Sequence, residues 1–405
     1  MIGKKNDLVN VPRLQKLMDE QQLDALVATT MGNVYYFTGV MGEGLRGFPY
    51  DAQTYAVITR DAPIEPYFIT TQGLSNQALD AFTLKDVAVF GRFFRAGPFD
   101  GTQLSEDEQY LMDISMKGES HSSPLDALLF VLEKMGLADK KVGIDELNFS
   151  SGYLESLSEK LPKADIVKAS ATLRQIRKVK TDAEIRRLRQ VSHMNELAIQ
   201  ALLAIMREGV TENELALEYS RSVSSQGGIP AFTCLRVGPN GVMAERKPTR
   251  AQLKSGEPLF IDVGCEYNGY WADFGRTACL GAPSARLSKA YEPLKQGHLK
   301  AIEMAKPGMT GGELFDLTVQ EVRKAGLSHY ERHHTGHGIG TELYEDVLIS
   351  PGNDDVIEEG TVVNHESPYY EFGLGGLIVE DPFVVRAAGN EVLTTIAPDL
   401  FIIPE

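Results

Sequence analysis

At 405 residues, with 43% apolar and 24% charged side chains, the chain is long enough for two domains of ordinary globular composition. Its formal charge of −16 argues against a nucleic-acid groove, because phosphate recognition needs a basic surface. Cys234, Cys265 and Cys279 show no metal-ligand spacing, and an odd number argues against a disulfide framework. No run of about 18 apolar residues is present to cross a membrane, and the opening MIGKKNDLVNVPRL lacks the apolar core of a signal peptide. A reducing cytoplasm is the expected setting.

In chain order, residues 12–22 predict a short helix, LDALVATT a strand, and NVYYFTGV a second short apolar run. YAVIT, YFITT and DVAVF predict further strands. Ser123-Pro124 opens a helix with a cap and a proline at its first position, Leu125, Leu128, Leu129 and Leu132 give it an apolar face, and Gly136 ends it. KVGIDEL, SGYLESLSEKL and ADIVKAS follow as strand, helix and strand, which makes an α/β domain with a mixed sheet. Arg46, Phe48 and Tyr50 fall in a glycine-rich stretch, and Arg92, Phe93, Phe94 and Arg95 form a second aromatic-basic cluster. Both read first as surface loops.

From about Lys180, Ile185, Leu188, Val191, Ala198, Leu202 and Ile205 recur at helical spacing, so one long amphipathic helix opens a second domain and Gly209 is expected to close it. The division is expected at 1–172 and 173–405. GVTENEL at 209–215 returns as GMTGGEL at 308–314, each with a capping box, Thr211 with Glu214 and Thr310 with Glu313. SGEPLFID ends at Asp262 and EEGTVVNHE at Glu366, each acid six residues after a glycine. Two echoes in the same order indicate an internal repeat of helix, helix, strand, strand.

Inside the first half, LFIDVGCEYNGYWADFGRT carries Asn268-Gly269 between β-prone runs, a hairpin signal because both turn residues need positive φ. A two-residue turn sets Tyr267 against Tyr270, Gly264 against Asp273 and Asp262 against Gly275. Asp262 and Asp273 then share a face as diagonal neighbours. Two carboxylates aimed at one point repel unless a cation or a shared proton lies between them. The second half adds Glu366 and, in GGLIVED, Glu380. A pseudo-twofold brings the two acidic pairs together, where a pair of divalent ions is the natural counter-charge. HHTGHGIG adds His333, His334 and His337 in a glycine-containing segment.

These segments resemble the pita-bread metallohydrolases: aminopeptidase P, prolidase, methionine aminopeptidase and the creatinase relatives. NVYYFTGV is similar to the start of a creatinase-like N-terminal domain, and KVKTDAEI to the helix entering the catalytic domain. IDVGCEYNGYWADFGRT, HHTGHGIG, HESPYY and GGLIVED resemble the metal-binding segments, with all five ligand positions filled by Asp262, Asp273, His337, Glu366 and Glu380. The resemblance implies an α+β chain, a creatinase-like α/β domain followed by a pita-bread domain with its internal pseudo-twofold. It implies two divalent ions, Asp262 on one and His337 on the other, with Asp273 and Glu366 bridging or flanking. An oxygen-rich ligand set suits manganese, with cobalt, zinc or iron as alternatives. His333, four residues before His337, matches a substrate-handling histidine. Glu366 is the expected proton acceptor.

Two positions depart from the peptidases. Glu245 and Tyr344 stand where a histidine is usual. The expected function is hydrolysis of a small amide or short peptide, in the manner of an Xaa-Pro dipeptidase or aminopeptidase. One alternative is a metal-dependent hydrolase or lyase of a non-peptide small molecule, creatinase-like or dimethylsulfoniopropionate-lyase-like. Another is a non-catalytic binding protein. The resemblance also implies a homodimer in which the Arg46 loop helps close the partner subunit's site, with Glu245, Tyr344 and Arg46 as substrate-binding residues.

Overall fold

The computed structural model describes residues 5–48 and 53–405, so Tyr50 lies outside the described residues. The chain forms two compact units, Met1–Arg177 and Lys178–Glu405. The division falls within the helix Ser170–Lys178, a little beyond the 172/173 boundary expected from sequence.

In the first unit the described residues form a mixed seven-stranded sheet. Its strands are β1 (Ala25–Ala28), β2 (Tyr55–Thr59), β3 (Tyr67–Thr71), β4 (Asp86–Phe90), β5 (Ser120–His121), β6 (Lys141–Ile144) and β7 (Asp165–Lys168), in the spatial order β5-β4-β3-β2-β1-β6-β7. The apolar run at 33–40 departs from the strands around it and forms the helix Met31–Thr38, ended by Gly39 at φ +72°. Gly32 through Thr38 are all buried, so this helix is enclosed on every side and its sequence carries no amphipathic period. Arg46 lies exposed on a short helix, Glu43–Gly47, where the sequence suggested a loop.

The second unit opens with the helix Asp182–Ala204, which buries Ile185, Leu188, Val191, Ala198 and Leu202 as their spacing predicts. It ends earlier than expected, with Ile205 as its cap; Gly209, at φ +79°, turns the chain toward the next helix. Both repeated capping boxes form, Thr211 with Glu214 on Glu212–Ser225 and Thr310 with Glu313 on Gly311–Lys324. The central sheet uses β8 (Ile229–Val237), β9 (Pro258–Tyr267), β10 (Tyr270–Leu280), β11 (Gly336–Gly338), β12 (Glu345–Leu348) and β13 (Val362–Glu366). A small ribbon, β14 (Tyr369–Glu371) with β15 (Gly375–Leu377), precedes β16 (Glu380–Val384). The order across the sheet is β12-β11-β13-β16-β10-β9-β8, with β17 (Glu391–Val392) beside β16 and β18 (Phe401–Ile403) beside β10.

The β9–β10 hairpin has the register its sequence dictates: Tyr267 faces Tyr270, Gly264 faces Asp273 and Asp262 faces Gly275. Asn268 at φ +48° and Gly269 at φ +75° make the two-residue turn. Glu380 opens β16, and the GGLIV that precedes it supplies β15 and a connection.

Candidate metal centre

One row of residues runs across four strands. Asp262 on β9 faces Gly275 on β10, Gly275 faces Glu380 on β16, and Glu380 faces Glu366 on β13. Partners in register share a sheet face, so three acids line up with a glycine among them. A Cβ at Gly275 would sit 2.6 Å from Glu380 Oε2, so this gap in the row is one only glycine leaves open. Asp273, two residues before Gly275, joins the same face. His337 on β11 faces Asn364 on β13, which is two residues before Glu366. Gly336 lets β11 approach: a Cβ there would meet Asn364 O at 2.3 Å.

The five expected ligands are therefore brought together. One donor atom from each of Asp273, His337 and Glu380 lies within 4.8 Å of the others. His337 Nε2 stands 3.4 Å from Asp273 Oδ2, and its Nδ1 is held 2.9 Å from the backbone oxygen of Gly338. Asn364 Nδ2 donates to Glu380 Oε1 at 2.7 Å. Asp273 Oδ1 and Glu380 Oε2 are buried with no hydrogen-bond partner among the described residues. Burial, then the neighbouring carboxylates, push Asp262 and Glu380 well above the ordinary carboxyl range. Asp273 is also raised, burial and the Glu366 charge outweighing His337. Glu366 moves the other way: burial alone would raise it, but His334, His337 and Arg332 hold it down. Orphaned buried oxygens and carboxylates forced toward their protonated forms are what a multivalent cation relieves, so the donor set fits a metal.

Of the remaining expected site residues, Tyr344, His333 and Glu245 lie around this centre. Tyr344 stacks on the His337 ring, centroids 3.7 Å apart and planes 15° from parallel. His333 and Glu245 line a neighbouring cavity with Arg332 and Tyr370. Arg46 belongs to the first unit. His334, not His333, reaches Glu366, with Nδ1 2.9 Å from Oε1. Spacing from His337 favours His333 and says nothing of this contact. Asn364 was also passed over, although its place two residues before Glu366 on one strand put it on the same face. Behind the sheet, Asp381 takes Arg276 at 2.7 Å and faces His298 Nε2 at 2.9 Å, while His298 Nδ1 lies 2.9 Å from His365 Nδ1.

A model of the creatinase/prolidase N-terminal domain matches residues 11–179, and one of metallopeptidase family M24 matches residues 186–387. The chain is 32% identical to the Xaa-Pro dipeptidase of Lactobacillus helveticus over 64% of its own length and 72% of that protein's. It is 30% identical to the putative dipeptidase YkvY of Bacillus subtilis over 70% and 78%. Its fold is shared with the solved Xaa-Pro dipeptidase from Bacillus anthracis, at TM-score 0.78 and 24% identity over 97% of this chain and 99% of that one. No helix among the described residues is long and apolar enough to cross a membrane. Ligand row, repeat and relatives agree: the chain belongs to metallopeptidase family M24, with a creatinase/prolidase N-terminal domain ahead of its catalytic domain.

Proposed function

We propose that the protein is a dinuclear metal-dependent hydrolase of a short peptide or small amide, acting in the manner of an Xaa-Pro dipeptidase. The observation that carries this is the row of acids at Asp262, Glu380 and Glu366, joined by Asp273 and His337, with two buried carboxylate oxygens lacking any partner. These five residues would hold two divalent ions, manganese first and cobalt, zinc or iron as alternatives. Bound there, such ions polarise a scissile carbonyl and make water more acidic.

The chain's own residues supply the rest. Glu366 is kept ionised by His334, His337 and Arg332, so it can take a proton from the attacking water. His333 is held below the usual imidazole range by burial, His334 and Arg332, and a neutral ring can donate a hydrogen bond to a developing oxyanion or to the leaving nitrogen. Tyr344, stacked on His337 and 47% exposed, forms a wall that substrate meets. One observation favours a second reading, a hydrolase or lyase of a non-peptide molecule: Glu245 is exposed in the adjoining cavity without an ion-pair partner among the described residues. A non-catalytic scaffold would have no use for the buried acids.

The homodimer, with Arg46 lent to a second copy, belongs to the same proposal; sedimentation at micromolar concentration tests it, and a fully active monomer ends it. For the reaction, the protein is loaded with manganese and offered Xaa-Pro dipeptides beside other dipeptides and N-acyl amino acids. Two metal ions per chain and turnover of an amide are expected. A fully loaded protein that opens no amide in the panel would overturn the reading.

A further inference from the structure

The cavity beside the acid row has a volume of about 490 Å³, within the roughly 300–1,000 Å³ usual for small-ligand pockets. Glu245, Arg332, His333, Met243 and Tyr370 are among the residues that line it. It lies against the centre: Tyr370 feels the charges of Asp262, Arg332 and Glu366, and His333 those of Glu366 and Glu245.

Its walls carry opposite charges that do not meet. Among the described residues neither Glu245 nor Arg332 forms an ion pair, although both face the same space. The Arg332 guanidinium lies 5.1 Å from the centre of the Tyr370 ring, and its Nε is buried with no acceptor among the described residues. A cation–π contact of this kind steadies the guanidinium and leaves its fork to a carboxylate. Arg246, also in the cavity wall, is turned to Met243 Sδ at 3.5 Å and forms no ion pair with Glu245 among the described residues. A ligand with one charge would satisfy one wall and strip water from the other. A neutral ligand would strip both.

We infer that the leaving half of the substrate carries both charges, an α-carboxylate for Arg332 and a cationic side chain for Glu245. The preferred substrate is thus an N-acyl or N-aminoacyl basic amino acid of the lysine, ornithine or diaminobutyrate type. The amide nitrogen being released is uncharged, so the cation has to come from the side chain. Proline supplies the carboxylate alone. This rests on the amide-hydrolase reading above and changes the residue it releases.

The test separates binding from turnover. Full-length protein, with and without manganese, is titrated calorimetrically with Nα-acetyl-L-lysine, N-acetyl-L-norleucine and Nα-acetyl-L-lysine methylamide. Loss of either charge is expected to weaken binding by about tenfold or more, the range for a hydrogen bond to a charged group. Glu245→Gln should erase the difference between the lysine and norleucine compounds, and Arg332→Gln that between the acid and its amide. Circular dichroism and metal content confirm that each variant is folded and loads. Equal binding of the lysine and norleucine compounds, survival of the preference in Glu245→Gln, or no binding of any of the three would overturn the inference. Turnover of Ala-Pro and Ala-Lys by the manganese enzyme is measured in parallel. Amide cleavage without charge preference removes this inference and leaves the hydrolase reading standing. Charge-selective binding with no amide cleaved does the reverse.

Discussion

Arg276 and Asp381 face each other at 2.7 Å, both side chains shut away from solvent. Asp381 follows Glu380 on β16 and points to the opposite side of the strand, so whatever fixes one orients the other. Arg276 adds a second hold, donating from Nη1 to the backbone oxygen of Glu380 at 2.7 Å. Arg276→Met leaves a buried carboxylate without its cation, a change that costs about 3–5 kcal/mol. A lowered unfolding temperature for the second unit and weaker metal binding are expected, read by calorimetry and metal titration. Unchanged metal affinity would show that the pair supports the fold without positioning Glu380.

The acid row predicts a graded loss of metal. Asp273→Ala removes a buried oxygen that has no partner and one member of the closest triad, so most bound metal should go with it. Asp262→Ala should also remove most metal and activity. Elemental analysis after manganese loading provides the measurement. Two ions retained in the Asp273 variant would take that residue out of the ligand set.

Much of this centre was legible in the chain. Asn268-Gly269 specified a two-residue turn, the turn fixed the register, and the register put Asp262 and Asp273 on one face. The repeat worked because Thr211 with Glu214 and Thr310 with Glu313 are local devices, written within four residues. What could not be read depends on contacts far apart in sequence. The buried helix Met31–Thr38 has no polar face to give it a period. The contact of His334 with Glu366 and the group His298, His365 and Asp381 join residues from different elements, with no spacing to announce them. The end of the long helix at Ala204 was missed because Gly209 is the stronger stop signal, while the chain leaves the helix one turn sooner.

His333 and His334 should separate functionally. Their rings are in edge contact, with centroids 4.3 Å apart, but only His334 comes within ion-pair distance of Glu366. His333→Ala should lower kcat by about 10²-fold or more, as removal of a positioned general acid or base does, and leave metal content near that of the parent. His334→Ala frees Glu366 to titrate higher, because the histidine is the leading influence holding that carboxyl down. The acidic limb of its rate profile should therefore move to higher pH. Loss of metal in the His333 variant would reassign it as a ligand.

Asp145 gives a test in the first unit. It is buried at the end of β6. Its Oδ2 accepts from Thr29 N at 3.2 Å, Thr30 N at 2.9 Å, Thr30 Oγ1 at 2.8 Å and Asn33 Nδ2 at 2.7 Å, while Ser170 Oγ donates to Oδ1 at 2.8 Å. Burial alone would raise its pKa, but Asn33, Thr30 and Ser170 outweigh it and the carboxyl lies below its ordinary value. A folded pKa below the unfolded one means stability that is present above about pH 4, the unfolded carboxyl value, and lost as pH falls through the folded value. Asp145→Asn keeps the shape but turns an acceptor into a donor among donors, and should cost about 2–4 kcal/mol at neutral pH. Denaturant unfolding of parent and variant between pH 7 and pH 3 measures it. The gap between the two should be widest at neutral pH and narrow below about pH 4 as the parent's carboxyl takes up its proton. A gap that stays constant to pH 3 would show that the Asn33, Thr30 and Ser170 hydrogen bonds do not depend on the charge.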